Sequence, residues 1–324
     1  MRTRGIRRIA VLAMLLAVSG AVSPSSLPET EPTLLPEASL PESVEAEARE
    51  RFWDLSGSPD VRSASAVIFD ELGEEVLYAK DANVVRPIAS ITKLMTALVV
   101  REAELPLDEV IKITLDDRDT ERGTSSRLRV GTQLTRDDLL HLALMSSENR
   151  AAHALGRTYP GGLPAFLNAM NEKARALGMT TARFVDPTGL SSGNVASAAD
   201  LVKLVLAAAR DPLIREYSTS PSHVVEVGGE LLEYRNSNLL VTKDDWQIVL
   251  QKTGYTSDAG QCLVMTALVQ ERPVVMVLLN SFGKYTRIAD ARRVRRWMES
   301  GAESARVANA AAPADEEQGR AVMH

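Results

Sequence analysis

Hydrophobic and polar positions repeat with two different periods along this chain, and the switches between them divide it. Residues 63–70 and 75–79 are β-like runs around a turn that holds Gly73, which predicts a hairpin. Directly after it, Ile91, Leu94, Met95, Leu98 and Val99 recur at i, i+3, i+4, i+7 and i+8, so residues 89–101 form a helix with one face built for burial. Residues 106–140 mix β-branched and charged positions, including Val110-Ile111-Lys112-Ile113-Thr114, and predict a small irregular subdomain. Helical spacing returns over 137–157, over 163–177 with Gly178 as its stop, and over 197–209 with Ser197 as its cap. Strand-like runs follow at 224–227, 231–234, 248–252, 262–269 and 274–279, and a helix at 286–298 precedes an alanine-rich tail.

A hairpin, a helical middle, three late strands and a last helix fit an α/β (α+β) fold. The expected architecture is a five-stranded, mainly antiparallel sheet flanked by helices, with a helical subdomain against it and the site between the two. Ahead of this lies a stretch without periodic hydrophobicity, in which Pro24, Pro28, Pro32, Pro36 and Pro41 alternate with Glu and Ser. It reads as an extended linker. The expected organisation is a signal peptide over 1–21, a linker over 22–55, one domain over 56–300 and a disordered tail over 301–324.

The first residues explain the assignment of a signal. Arg2, Arg4, Arg7 and Arg8 precede an apolar run over 9–18 and the small residues Ser19, Gly20 and Ala21, which is the pattern of a cleaved export signal. The run is shorter than the ~20 residues that span a bilayer. Cleavage near Ala21 removes four arginines and no acids, taking the formal charge from −6 to −10. An acidic chain with no zinc-finger or helix-turn-helix pattern is not built to bind nucleic acid. Cys262 is the only cysteine, so an exported fold must be held by packing alone. In its apolar surroundings Cys262 reads as a small buried hydrophobe.

Candidate chemistry begins with Ser90 and Lys93, three residues apart at the start of the first helix. That spacing stacks a hydroxyl and an amine on one face, the geometry of a serine nucleophile with a lysine base. The lysine must be neutral to accept a proton, so the site has to depress its pKa from ~10.4 by burial or a second cation. An S-x-x-K pattern alone occurs roughly once by chance in a chain of this length. Two further motifs follow in order: Ser147-Glu148-Asn149 and Lys252-Thr253-Gly254.

With three motifs in place, the chain resembles the penicillin-binding serine peptidases of the S-x-x-K, S-x-N, K-T-G type. Within them it is most similar to the low-molecular-mass D-alanyl-D-alanine endopeptidases. The likeness rests on the segments 87–96 (PIASITKLMT), 144–152 (LMSSENRAA), 184–190 (FVDPTGL), 252–255 (KTGY) and 282–285 (FGKY), and it covers about residues 63–298. It implies a β-lactamase/transpeptidase-like fold and a periplasmic enzyme of cell-wall remodelling. Ser90 attacks a peptide carbonyl to form an acyl-enzyme, Lys93 takes its proton, and Ser147 relays a proton to the leaving amine. Asn149 binds the substrate amide, while Lys252 and Thr253 receive the carboxylate on the leaving side. Gly254 lets substrate backbone lie along the strand. The backbone N–H groups of Ser90 and Tyr255 form the oxyanion hole. The implied partners are cross-linked peptidoglycan peptides and β-lactams as covalent inhibitors, with no cofactor and no metal.

Both a D-Ala-D-Ala terminus and a D-Ala to meso-diaminopimelate cross-link offer such a carboxylate, so the motifs leave carboxypeptidase and endopeptidase open. Only about seventy residues follow Lys252, without the extra β-domain and amphipathic anchor usual in the carboxypeptidases, which favours the endopeptidase. A β-lactamase and a non-catalytic cell-wall binding protein are the remaining alternatives. Asp186 in Asp186-Pro187 reads first as a turn residue, and Glu148 as a stabiliser of the fold. His141, His153, His223 and His324 follow no triad or metal-ligand spacing. Arg287, Arg292, Arg293, Arg295 and Arg296 read as a solvated or salt-bridged face of the last helix.

Overall fold

The computed structural model describes residues 53–311, with side chains to residue 301. The expected hairpin is β1 (Ser65–Asp70) and β2 (Glu75–Lys80); a short β3 (Arg86–Pro87) then leads through a 3-10 turn (Ala89–Ile91) into α1 (Thr92–Glu102). The helical part holds β4 (Val110–Lys112), β5 (Gln133–Thr135), α2 (Arg136–Met145), α3 (Asn149–Arg157) and α4 (Gly162–Ala176). After β6 (Val195–Ala196), which pairs with β3, come α5 (Ala198–Ala208), α6 (Pro212–Thr219) and a separate hairpin of β7 (Ser222–Val227) and β8 (Glu230–Arg235). The chain closes with β9 (Ile248–Thr256), β10 (Gly260–Val269), β11 (Arg272–Ser281) and α7 (Thr286–Ala311).

The main sheet has the order β2-β1-β11-β10-β9, antiparallel throughout, which leaves β9 at an edge. Its period-2 geometry sorts the continuous apolar run of β11 to two sides. Val275, Val277 and Leu279 join the cluster of α1 and α5, whereas Val274, Met276 and Leu278 join Ala291, Val294 and Met298 of α7. Burial on both faces is why these strands read as unbroken hydrophobic stretches.

The structure departs from the sequence pattern at four places. The helix expected over 137–157 is two helices, broken at Ser146-Ser147-Glu148. Ser147 has φ +63°, a left-handed conformation that ends α2, and Glu148 restarts the helix by accepting the N–H of Arg150. The helix α6 was not expected; Asp211 caps it through the N–H groups of Leu213 and Ile214, and Pro212 occupies its first turn. The helix α7 runs to Ala311 and not to a disordered tail from 301, since alanine is the best helix former and no proline intervenes. Gly301 stays helical because a Cβ there would meet Leu55 at 2.4 Å. Finally, Trp53 and Leu55 pack in the core beneath α7, so the domain begins before residue 56. The expected signal peptide and all but the end of the linker lie outside the described residues, as do residues 312–324. No helix among the described residues is long and apolar enough to cross a membrane.

Asp117 anchors the irregular subdomain to α3. Burial raises its pKa, but hydrogen bonds from His153, Arg157 and the Thr114 N–H outweigh this and hold it near 2. A depressed carboxylate contributes stability above its unfolded pKa of about 3.9 and loses it as pH falls toward 2. We expect Asp117→Ala to cost about 2 kcal/mol at pH 7, a buried-pair value reduced for the partial exposure of Arg157 and His153. Urea titrations at pH 7 and pH 3 check this: the variant's deficit should shrink at the lower pH.

Candidate active site

The 3-10 turn and α1 place Ser90 one residue before two buried positions, Ile91 and Thr92, so its backbone is fixed by the core while its side chain stays half-exposed. Ala89 just before it has φ +48°, and Ser147 across the site has φ +63°. Two non-glycine residues in this conformation flank the same cleft, and such strain persists only where the surroundings impose it.

Lys93 is fully buried, and its amine has three partners: Ser90 Oγ at 2.9 Å, Asn149 Oδ1 at 2.8 Å and the Thr188 carbonyl at 2.6 Å. Burial is the largest influence and pulls the Lys93 pKa down to about 7, against the Asp186 and Glu148 carboxylates, which raise it. The geometry then settles where the proton goes. A carbonyl and an amide oxygen only accept, so a neutral amine donates its two hydrogens to Thr188 and Asn149, and its lone pair is left for the Ser90 hydroxyl. In that state the amine can accept a proton from Ser90 Oγ, 2.9 Å away.

Lys252 is the second fully buried amine and donates to the Thr253 carbonyl at 3.0 Å. Burial first, then repulsion from Lys93 and Arg287, lowers its pKa well below the usual lysine range. Of the two causes expected to depress Lys93, burial acts on it and a second cation does not; the repulsion between the amines lowers Lys252. Thr253 Oγ1 lies 2.7 Å from Ser237 Oγ, and the Ser237 N–H donates to the Met145 carbonyl at 3.0 Å. This chain of contacts ties β9 to the end of α2 beside Ser147.

Gly254 is pressed against the nucleophile's turn. A Cβ there would stand 3.0 Å from the Ile88 carbonyl and 3.1 Å from the Ser90 amide nitrogen, so the close approach is between β9 and the 3-10 turn. Tyr255 next to it is exposed. Ser147 sits on its left-handed turn two residues before Asn149, and its hydroxyl has no hydrogen-bond partner among the described residues. Asn149 is held on its other side by Nδ2 donating to Thr124 Oγ1 at 3.1 Å.

The two acidic residues near Lys93 are structural in their contacts. Asp186 accepts from the N–H groups of Thr188, Gly189 and Ser191, the Thr188 hydroxyl and the Asn194 amide, which occupies both carboxylate oxygens with loop donors. That leaves it poorly placed to activate water. Glu148 accepts from Ser126 Oγ and the Arg150 N–H at one oxygen. No three His, Cys, Asp or Glu side chains among the described residues are grouped to hold a metal ion.

Two contributors escaped the sequence reading. Ser237 sits in a run of turn-forming residues with nothing to mark it. Arg287 did carry a signal: a cation in the first turn of α7 opposes the helix dipole and needs another reason to be there. Its Nη1 donates to the carbonyls of Gly254 at 2.7 Å and Cys262 at 3.2 Å, cross-strand partners on β9 and β10. The other arginines of that helix conform to the salt-bridged reading at Arg293 and Arg295. Cys262 is buried, and burial raises its pKa to about 11, so it stays a thiol.

Comparison with known proteins agrees with this geometry. Residues 54–283 match the family model described as D-alanyl-D-alanine carboxypeptidase. A D-alanyl-D-alanine endopeptidase of Pseudomonas aeruginosa is 50% identical over 244 residues, covering 75% of this chain and 79% of that protein. One from Escherichia coli is 46% identical over 264 residues, covering 81% and 85%. Among solved structures, a D-alanyl-D-alanine carboxypeptidase of Mycobacterium tuberculosis superposes with TM-score 0.69 at 27% identity, covering 75% of this chain and 93% of that one. A variant of a Streptomyces DD-transpeptidase gives TM-score 0.69 at 25% identity, covering 75% and 100%. A match of this extent to the family model, with relatives this similar over most of their length, places the chain in the D-alanyl-D-alanine carboxypeptidase family of serine peptidases.

Proposed function

We propose that this protein is a serine D,D-endopeptidase that hydrolyses D-Ala to meso-diaminopimelate cross-links of peptidoglycan in the periplasm. The observation that carries the reading is the Lys93 amine, lowered to about 7 and oriented by two obligate acceptors toward Ser90. Ser90 Oγ attacks the D-Ala carbonyl as its proton passes to Lys93, and the bond to the diaminopimelate nitrogen breaks as that nitrogen is protonated through Ser147. Water then releases the acyl group. The N–H groups of Ser90 and Tyr255 stabilise the oxyanion, Asn149 holds the substrate amide, and Lys252 with Thr253 receives the carboxylate beside the leaving nitrogen. The endopeptidase names of the two relatives favour cross-links over terminal D-Ala. β-Lactams acylate the same serine.

Mass analysis of the mature protein with a tetrapeptide–tetrapeptide muropeptide dimer and a monomeric pentapeptide tests this. Conversion of the dimer to monomers, blocked by penicillin and abolished in Ser90→Ala, is the expected result. Loss of terminal D-Ala from the pentapeptide with the dimer untouched makes the protein a carboxypeptidase.

A further inference from the structure

A cut cross-link releases a whole stem peptide, whereas a carboxypeptidase releases one D-Ala, so an endopeptidase needs room beyond the leaving nitrogen. The molecule has such room on one side. A cleft of about 630 Å³ is lined by Ser126, Arg127, Ser146, Glu148, Tyr234 and Arg235. Ser146 and Glu148 flank Ser147, and Arg235 lies two residues before Ser237, which touches Thr253. The cleft therefore runs beside the segment that carries Ser147, on the side of β8. Through Ser126 and Arg127 it continues into a second space of about 860 Å³ that reaches Gly228 and Gly229 at the tip of the β7–β8 hairpin. Volumes of about 300–1,000 Å³ are those of sites that enclose a drug-sized ligand. The Asn149 side meets a separate cavity of about 180 Å³.

Where the two spaces join, two arginines stand without an ion-pair partner among the described residues. Arg127 is held by neutral groups: its Nη1 donates to the Glu233 carbonyl at 2.7 Å, and its guanidinium lies 3.8 Å over the buried Tyr234 ring. Among the described residues neither Arg127 nor Arg129 has a carboxylate within ion-pair distance, although both are exposed on the cleft wall. Four acids share these walls outside ion-pair distance of the two arginines: Glu148 accepts from Ser126 and Arg150 at one oxygen, Glu233 pairs with Arg235, and Glu226 and Glu230 line the larger space toward the hairpin end. A planar guanidinium fixed by stacking and one hydrogen bond keeps N–H groups free for a carboxylate.

We propose that this cleft seats the stem peptide released when a cross-link is cut, and that Arg127 and Arg129 bind a carboxylate of that peptide. The inference rests on the endopeptidase reading and adds to it the residues that select a cross-linked substrate. They are positioning residues and touch no reacting atom.

The test compares wild type, Arg127→Ala, Arg127→Lys and the double variant Arg127→Ala/Arg129→Ala on three readouts: dimer cleavage, pentapeptide hydrolysis and the rate of acylation by penicillin. The double variant should raise KM for the dimer about tenfold, the loss of one charge-assisted contact, with kcat unchanged. Penicillin acylation and pentapeptide hydrolysis should stay within about twofold, and Arg127→Lys should restore part of the dimer KM. Amidating the carboxylates of the leaving stem other than the one beside the leaving nitrogen should weaken wild type to the level of the double variant. An unchanged dimer KM in the double variant overturns the proposal, and so does an equal loss on all three readouts. If wild type reacts with penicillin but leaves the dimer intact, the endopeptidase reading fails and takes this inference with it.

Discussion

Lys93→Met is expected to slow acylation of Ser90 by penicillin about 10³-fold or more, the upper part of the range for a general base. Methionine matches the length of the lysine stem and fits a fully buried site, so the protein should remain folded. The effect follows from the acceptor pair of Thr188 and Asn149, which leaves the lone pair of a neutral amine only the Ser90 hydroxyl to face. The same argument fixes the pH dependence of the wild type. An amine with pKa about 7 is protonated below that value and cannot accept the serine proton, so acylation should rise with pH and level off above about 7. Stopped-flow acylation between pH 5 and pH 9 checks both claims. A profile flat across pH 7, or a methionine variant within tenfold of wild type, would remove Lys93 from the role of base.

Gly189→Ala should be the most damaging single-methyl change in the molecule. Gly189 has φ +82°, and a Cβ there would stand 1.9 Å from the Ala89 carbonyl oxygen, a backbone atom that cannot swing aside. Left-handed strain and overpacking together are expected to cost about 3–5 kcal/mol, or roughly 10 °C in Tm for a domain of this size. The damage should extend to chemistry, because the Asp186 loop carries the Thr188 carbonyl that orients Lys93. Differential scanning calorimetry with penicillin acylation on the same sample separates the two effects. A Tm within about 2 °C of wild type would show that the loop can move away from the turn.

The parts of the fold that were legible in the sequence are those where one residue's neighbours decide its place. The hairpin and the three late strands announce themselves by composition, and α5 by Ser197 and its apolar spacing. The break between α2 and α3 was not legible, since apolar spacing continues from Leu144 and Met145 to Ala151 and Ala152 across it. What ends α2 is the left-handed backbone of Ser147, a property imposed by tertiary contacts and not by serine itself. Asp211-Pro212 carries a readable cap for α6. In the site, Lys93 meets both Ser90 and Asn149, which lie 3 and 56 residues from it in sequence. Ser237 is hidden because its role depends on which strand passes beside it, and Arg287 shows its misfit with the helix dipole but not the two strand carbonyls that it meets.

Two lysines sunk in one apolar site work against the fold that encloses them. Burial that lowers the pKa of both amines below its unfolded value lowers native stability wherever the unfolded chain keeps them charged. A redesign of this domain scored on folding free energy alone would therefore replace Lys252 with methionine or leucine and report an improvement. The improved molecule would fold well and cut nothing. Thermal robustness has to be sought away from these amines, on the solvent face of α7 or along β2, where charge and helix propensity can change without touching the hydrolytic centre.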